Sequence, residues 1–148
     1  MISTDKFLAQ IIDNGANGYG IAKQDGLVCF VPFSISGEKV LIHTKKFGKN
    51  FCECVLDEVV SPSPCRVTPQ CPYFEKCGGC VLQHMDQNSQ LEYKTNQVKT
   101  ILQRALKKDL LTNICIAKNS YHYRNKRTVG SFELERSCHQ HQQSTVCC

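Results

Sequence analysis

Ser61-Pro62-Ser63-Pro64 constrains this chain more firmly than any other stretch. Each proline bars the helical region to the residue before it and brings no amide to a sheet, so a strand reaching Ser61 ends there. About sixty residues precede the break, the size of one small domain. The whole chain of 148 residues has room for one ordinary domain or two small ones.

The segment before the break reads as strands. Lys6 to Asp13 is a short apolar run, and Asn14 to Gly20 is dense in residues that accept positive φ. Gly20 to Lys23 and Leu27 to Val31 flank Asp25-Gly26, the signal for a type I′ hairpin turn. Lys39 to Lys45 follows with Val40 and Ile42 on one face, then a turn at Phe47-Gly48-Lys49-Asn50, then a last strand from Phe51 to Val60. Five short strands are too few for a sandwich. They predict a small, five-stranded OB-like barrel over residues 1–61, which removes its sheet edges by closing on itself.

Directly after the break comes a loop, residues 62–86, holding Cys71, Cys77 and Cys80 at spacing C-x5-C-x2-C, with Gly78-Gly79 between the last two. Clustered thiolates suit soft metals, and the glycines permit a tight turn around a bound centre. Three close cysteines awaiting a fourth fit an iron–sulfur cluster; the pair Cys77-x2-Cys80 fits half of a zinc site. Both metals stay open on spacing alone. Eleven cysteines in a secreted chain would suggest disulfides. Here Asp5 and Lys6 lead directly into Phe7 with no secretory signal, and no apolar run approaches a membrane span, which predicts a cytoplasmic chain with reduced thiols.

Beyond the loop, Ser89-Gln90-Leu91-Glu92 has the form of a capping box. Leu91, Val98, Ile101, Leu102, Ala105 and Leu106 recur at helical spacing, predicting one amphipathic helix from about 89 to 108. Thr112 to Ala117 reads as a strand, and Tyr121-His122-Tyr123-Arg124-Asn125-Lys126-Arg127 interleaves cations with aromatics. Charge divides unevenly. Residues 1–60 hold six lysines against seven acids, a net of −1, whereas residues 61–148 hold twelve Lys/Arg against six acids, a net of +6. That excess suits a polyanion such as RNA. Lys45, Lys46 and Lys49 with Phe47 at one hairpin tip, and Tyr123, Arg124, Lys126 and Arg127 further on, are the residue types that neutralise phosphates and stack bases.

Several of these stretches resemble the RNA (uracil-5)-methyltransferases that carry a [4Fe-4S] cluster. The carriers are Ser63 to Phe74, Cys77-Gly78-Gly79-Cys80 and Leu82-Gln83-His84, with Tyr93-Lys94 and Tyr123-Arg124-Asn125-Lys126 downstream. Asn14 to Ala22, Val28 to Pro32 and Ser36 to Val40 resemble the TRAM domain at the front of the same enzymes, an RNA-binding barrel. The resemblance implies that Cys71, Cys77 and Cys80 ligate a [4Fe-4S] cluster. It also implies that residues 87–130 open a central RNA-contacting sheet, and that the partner is RNA, ribosomal in preference to transfer RNA.

From Ser131 the pattern departs. Residues 131–148 are polar, lack a period and predict a disordered tail, in which Cys138, His139, His141, Cys147 and Cys148 are weak metal donors. The family's fourth cluster cysteine has no match in context; Cys65, Cys115 and Cys138 are the substitutes on offer. No strand, Gly-rich turn and helix for S-adenosylmethionine occurs, and the family's Rossmann-like domain, nucleophilic cysteine and general base have no counterpart. No catalytic residue is assigned. The expectation is a truncated or frameshifted N-terminal portion that does not methylate by itself, with a stand-alone RNA-binding or zinc-binding module as the alternative.

Overall fold

The computed structural model describes residues 6–76 and 78–107. These fall into two compact units, one ending at Arg66 and one beginning at Val67.

The first unit is a six-stranded sheet: β1 (Phe7–Gln10), β2 (Asp13–Asn14), β3 (Gly20–Gln24), β4 (Leu27–Val31), β5 (Lys39–Phe47) and β6 (Phe51–Ser61). Its order is β1-β5-β6-β4-β3-β2, antiparallel throughout except for the parallel pair β4–β6. β1 and β2 are successive halves of one bent segment. Ile11 donates its amide to Glu38 on the β5 side, and Ile12 donates to Ile21 on the β3 side. One segment thus pairs with both ends of the order and closes a five-stranded barrel, the OB-like topology expected. That segment, counted as two strands, accounts for six where five were anticipated, and β5 runs on to Phe47, which was expected in the turn.

The turns follow their chemistry. Asp25 and Gly26 adopt φ 49° and 80°, as a type I′ hairpin requires, and β3 and β4 pair from Gln24↔Leu27 outward. The long β5–β6 ladder is interrupted three times, including between Thr44 and Lys46, and such bulges bend strands around a barrel. Alternation sends Val40, Ile42 and Thr44 inward from β5, Cys52 and Cys54 from β6, and Cys29 and Val31 from β4. With Ala9, Ile11 and Ala22 they form the core, against which Phe7, Leu56 and Val59 pack.

The unit runs past the Ser61 break because Arg66 is tied back to it. Glu38, with no solvent exposure, accepts from the amides of Ile35 (2.9 Å) and Ser63 (3.1 Å) and from Nε and Nη2 of Arg66. Arg66 Nη2 also donates to the Phe33 carbonyl at 2.8 Å. Burial by itself would raise the Glu38 pKa. The Arg66 hydrogen bonds, the two amides and the guanidinium charge outweigh it and hold the carboxyl below its usual range.

The second unit comprises the cysteine loop and α1 (Gln87–Leu106). The helix begins two residues earlier than its periodicity suggests, because the cap is Asp86 and not Ser89. Asp86 accepts the Ser89 amide at 3.0 Å and the Ser89 hydroxyl at 2.7 Å, so Ser89 is a donor within the first turn. It ends where Lys107 turns left-handed (φ 50°) and donates its amide to Gln103. No residue of α1 is buried, and Val98, Ile101 and Leu106 are each about half exposed. No helix among the described residues is long and apolar enough to cross a membrane. The strand expected at 112–117 and the tail lie outside the described residues.

Candidate functional site

The cysteine loop holds itself together. The Val67 amide donates to the His84 carbonyl (2.9 Å), closing the segment, and turns follow at Phe74 to Cys71, Lys76 to Tyr73 and Met85 to Leu82. Cys71, Leu82, His84 and Met85 are buried, and the rings of Phe74 and His84 lie 5.6 Å apart. Gln83 spans the two described cysteines of the set. Its Oε1 accepts the Cys71 amide at 3.3 Å, while its Nε2 donates to Cys80 Sγ at 3.5 Å. Gly78 adopts φ 70°, the freedom expected of it, and Glu75 also turns left-handed at φ 71°, which its residue type does not announce. Cys77 lies outside the described residues.

The described donors are two thiols, a chemistry that suits an iron–sulfur or a zinc ligand set alike. Cys71 and Cys80 are thiols on one closed loop. Gln83 gives one of them a hydrogen bond of the kind that tunes a thiolate ligand. Among the substitutes for a fourth ligand, Cys65 belongs to the first unit and is half-buried, its amide donating to Ser63 Oγ at 3.4 Å. Cys115 and Cys138 lie outside the described residues.

The β5–β6 hairpin gathers the first group of nucleic-acid candidates. Lys45, Lys46 and Lys49 are exposed, and Phe47 is 50% exposed. Phe47 is therefore not a core residue. The irregular register between Thr44 and Lys46 places Lys45 as the extra residue of a bulge, so both neighbouring lysines reach solvent at the strand end. Tyr123, Arg124, Lys126 and Arg127 lie outside the described residues.

Sequence reasoning missed a third feature. Cys29, Cys52 and Cys54 place their sulfurs within 4.8 Å of one another inside the barrel. Cys29 and Cys52 are direct partners in the parallel β4–β6 register, with Sγ atoms 3.0 Å apart, and Cys52 and Cys54 sulfurs are 3.7 Å apart. Burial pushes the Cys29 thiol well up, helped by the Cys52 hydrogen bond and the nearby Cys54. Burial and Cys52 push Cys54 up to about 11. The available signal was Cys52-x-Cys54, a spacing that puts two thiols on one face of a strand. Cys29 required the register. A cavity of about 260 Å³ adjoins the group, with Cys29, Cys52 and Thr44 in its lining beside Phe7, Leu27 and Phe47.

No protein-family model matches the chain. It is 36% identical to an uncharacterised RNA methyltransferase of Caldanaerobacter subterraneus subsp. tengcongensis, over 82% of this chain and 27% of the relative. It is likewise 36% identical to the 23S rRNA (uracil(1939)-C(5))-methyltransferase RlmD of Shewanella amazonensis, over 77% of this chain and 26% of the relative. A solved tRNA (uracil-54, C5)-methyltransferase of Pyrococcus abyssi, in complex with S-adenosyl-L-homocysteine, matches 64% of this chain and 21% of that one at 32% identity and TM-score 0.41. The chain spans about a quarter of the length of the curated relatives it matches.

Proposed function

We propose that the chain, which matches about a quarter of the length of its RNA methyltransferase relatives, is the N-terminal RNA-binding and iron–sulfur portion of an RNA (uracil-5)-methyltransferase. The observation that carries this reading is the chain's own self-closed cysteine loop, in which Gln83 joins the Cys71 amide to the Cys80 thiol. It follows in sequence a barrel whose β5–β6 tip offers three exposed lysines around a half-exposed phenylalanine.

In this reading Cys71, Cys77 and Cys80 hold the [4Fe-4S] cluster, which supplies a covalent brace for the loop and a one-electron couple when bound. Gln83 orients Cys80 and donates to its sulfur. Lys45, Lys46 and Lys49 neutralise phosphates, and Phe47 gives an unstacked base a face to rest on. Tyr123, Arg124, Lys126 and Arg127 extend that contact by residue type. The RNA bound is ribosomal in preference to transfer RNA, a preference drawn from the name of the RlmD relative. Methyl transfer from S-adenosylmethionine belongs to parts of the family outside these 148 residues, which bind and position RNA without methylating it.

The test is anaerobic purification followed by iron and acid-labile sulfide analysis, and RNA binding with a 23S rRNA fragment against tRNA. Iron and sulfide near four each, with tighter rRNA binding, is the expected result. Zinc without sulfide, or methylation by the chain alone, would overturn the reading.

A further inference from the structure

The barrel interior holds a thiol group that the proposed function does not use. We propose that Cys29, Cys52 and Cys54 form a three-thiolate site for a single divalent d10 cation of the zinc class, separate from the cysteine loop and independent of its cluster.

Placement is the first argument. Cys52 and Cys54 share the inward face of β6, and the parallel register sets Cys29 directly opposite Cys52. All three donors therefore sit on paired strands, where backbone hydrogen bonds fix them, and no loop has to close to gather them. Exposure of 0%, 3% and 3% keeps them off the outer surface of the barrel.

Distances are the second. Zinc–thiolate bonds of about 2.3 Å in a tetrahedral arrangement put sulfurs about 3.8 Å apart. The Cys52–Cys54 separation of 3.7 Å already matches. Cys29 and Cys52, at 3.0 Å, must part by a little under ~1 Å, a rotamer-scale adjustment. Packing gives a weaker account of the group, because thiols are poor hydrogen-bond partners and aliphatic side chains would fill a barrel core as well.

Access and charge complete the case. Cys29 and Cys52 line the 260 Å³ cavity, so an ion and a fourth, non-protein ligand can reach them from that side. On binding, three S–H bonds break, three metal–sulfur bonds form and three protons pass to solvent. A divalent ion leaves one net negative charge in the core, whereas a monovalent ion would leave two, and buried charge is costly.

The experiment uses the full chain with Cys71, Cys77 and Cys80 all replaced by Ser, reduced and free of oxygen, titrated with cobalt(II). Expected is one equivalent of tetrahedral cobalt with a thiolate charge-transfer band, displaced stoichiometrically by zinc. Cys54→Val and, separately, Cys29→Val on that background remove the band while circular dichroism retains the barrel; Cys54→Ser serves where the valine variant fails to fold. Absence of the band in the loop-substituted chain overturns the proposal. So does a band that survives both barrel substitutions, since its ligands then lie elsewhere. A Cys29–Cys52 disulfide formed in air, with no cobalt uptake after reduction, also overturns it and marks the group as redox-active only.

Discussion

Replacing Arg66 by Met would test how the Ser-Pro-Ser-Pro break is spanned. Arg66 contributes two of the four hydrogen bonds accepted by Glu38, a carboxylate with no exposure. Removing one partner of a buried pair costs about 3–5 kcal/mol, because the other charge stays buried without compensation. Arg66 itself is 21% exposed, which favours the lower end, about 3 kcal/mol. Domains near this size melt about 4–8 °C lower per kcal/mol, so the expected drop is at least roughly 12 °C. The pH dependence is sharper still. In the parent chain the Glu38 pKa lies below its ordinary 4.5, so its stabilisation is fully present above about 4.5 and is lost as pH falls through the folded value. In Arg66→Met, burial dominates and the folded pKa rises above the unfolded one. Stability is then greatest below about 4.5 and declines as pH rises through the folded value. Thermal melts by circular dichroism from neutral pH to well below 4.5 read both effects. If the variant melts within a few degrees of the parent and keeps its pH slope, the buried-pair argument is wrong.

Gly20→Ala should destabilise the barrel by about 1–3 kcal/mol, because its Cβ would fall 2.0 Å from Ser34 Oγ and 2.9 Å from Ile11 Cγ2 within a buried corner; a denaturant titration measures it. Replacing Lys45, Lys46 and Lys49 together by Ala should flatten the salt dependence of single-stranded RNA binding by about two units of slope, at roughly 0.7 per phosphate contact. Phe47→Ala should instead weaken binding by about 1–3 kcal/mol with the slope unchanged, which filter binding at several salt concentrations separates. Asp86→Ala should cost α1 about 1 kcal/mol of capping, visible as lost helical signal on warming, whereas Ser89→Ala should cost less.

The barrel was legible because each of its signals is local. Asp25-Gly26 dictates a turn with positive φ at both positions, and Val40 with Ile42 declares a face. What escaped depends on contacts between distant residues. The Glu38–Arg66 pair bridges twenty-eight positions and carries the first unit past its apparent end. Its members look like surface charges in the sequence. The thiol group needs a parallel pairing of β4 with β6, which no hairpin rule gives. The helix starts earlier than expected because Ser89-x-x-Glu92 has the local form of a cap, whereas the extended backbone and the bond from the Ser89 amide are at Asp86. At the cysteine loop, spacing singled out Cys71, Cys77 and Cys80 as candidates, while the Gln83 tether depended on how the loop folds back.

Barrel closure also sets a timetable. β1 pairs with β5 across thirty-five positions (Phe7 with Ile42), and Cys29 meets Cys52 only through the β4–β6 pairing. Non-local pairings of this kind form late, on the millisecond-to-second scale. During synthesis, at about 5–20 residues per second, the twenty-three positions between Cys29 and Cys52 take roughly one to five seconds to appear. Until β6 pairs with β4, Cys29 lies on an unfinished hairpin, and afterwards it is buried. A pulse of alkylating reagent applied to nascent chains of increasing length would therefore date the closing of the barrel from the moment Cys29 stops reacting.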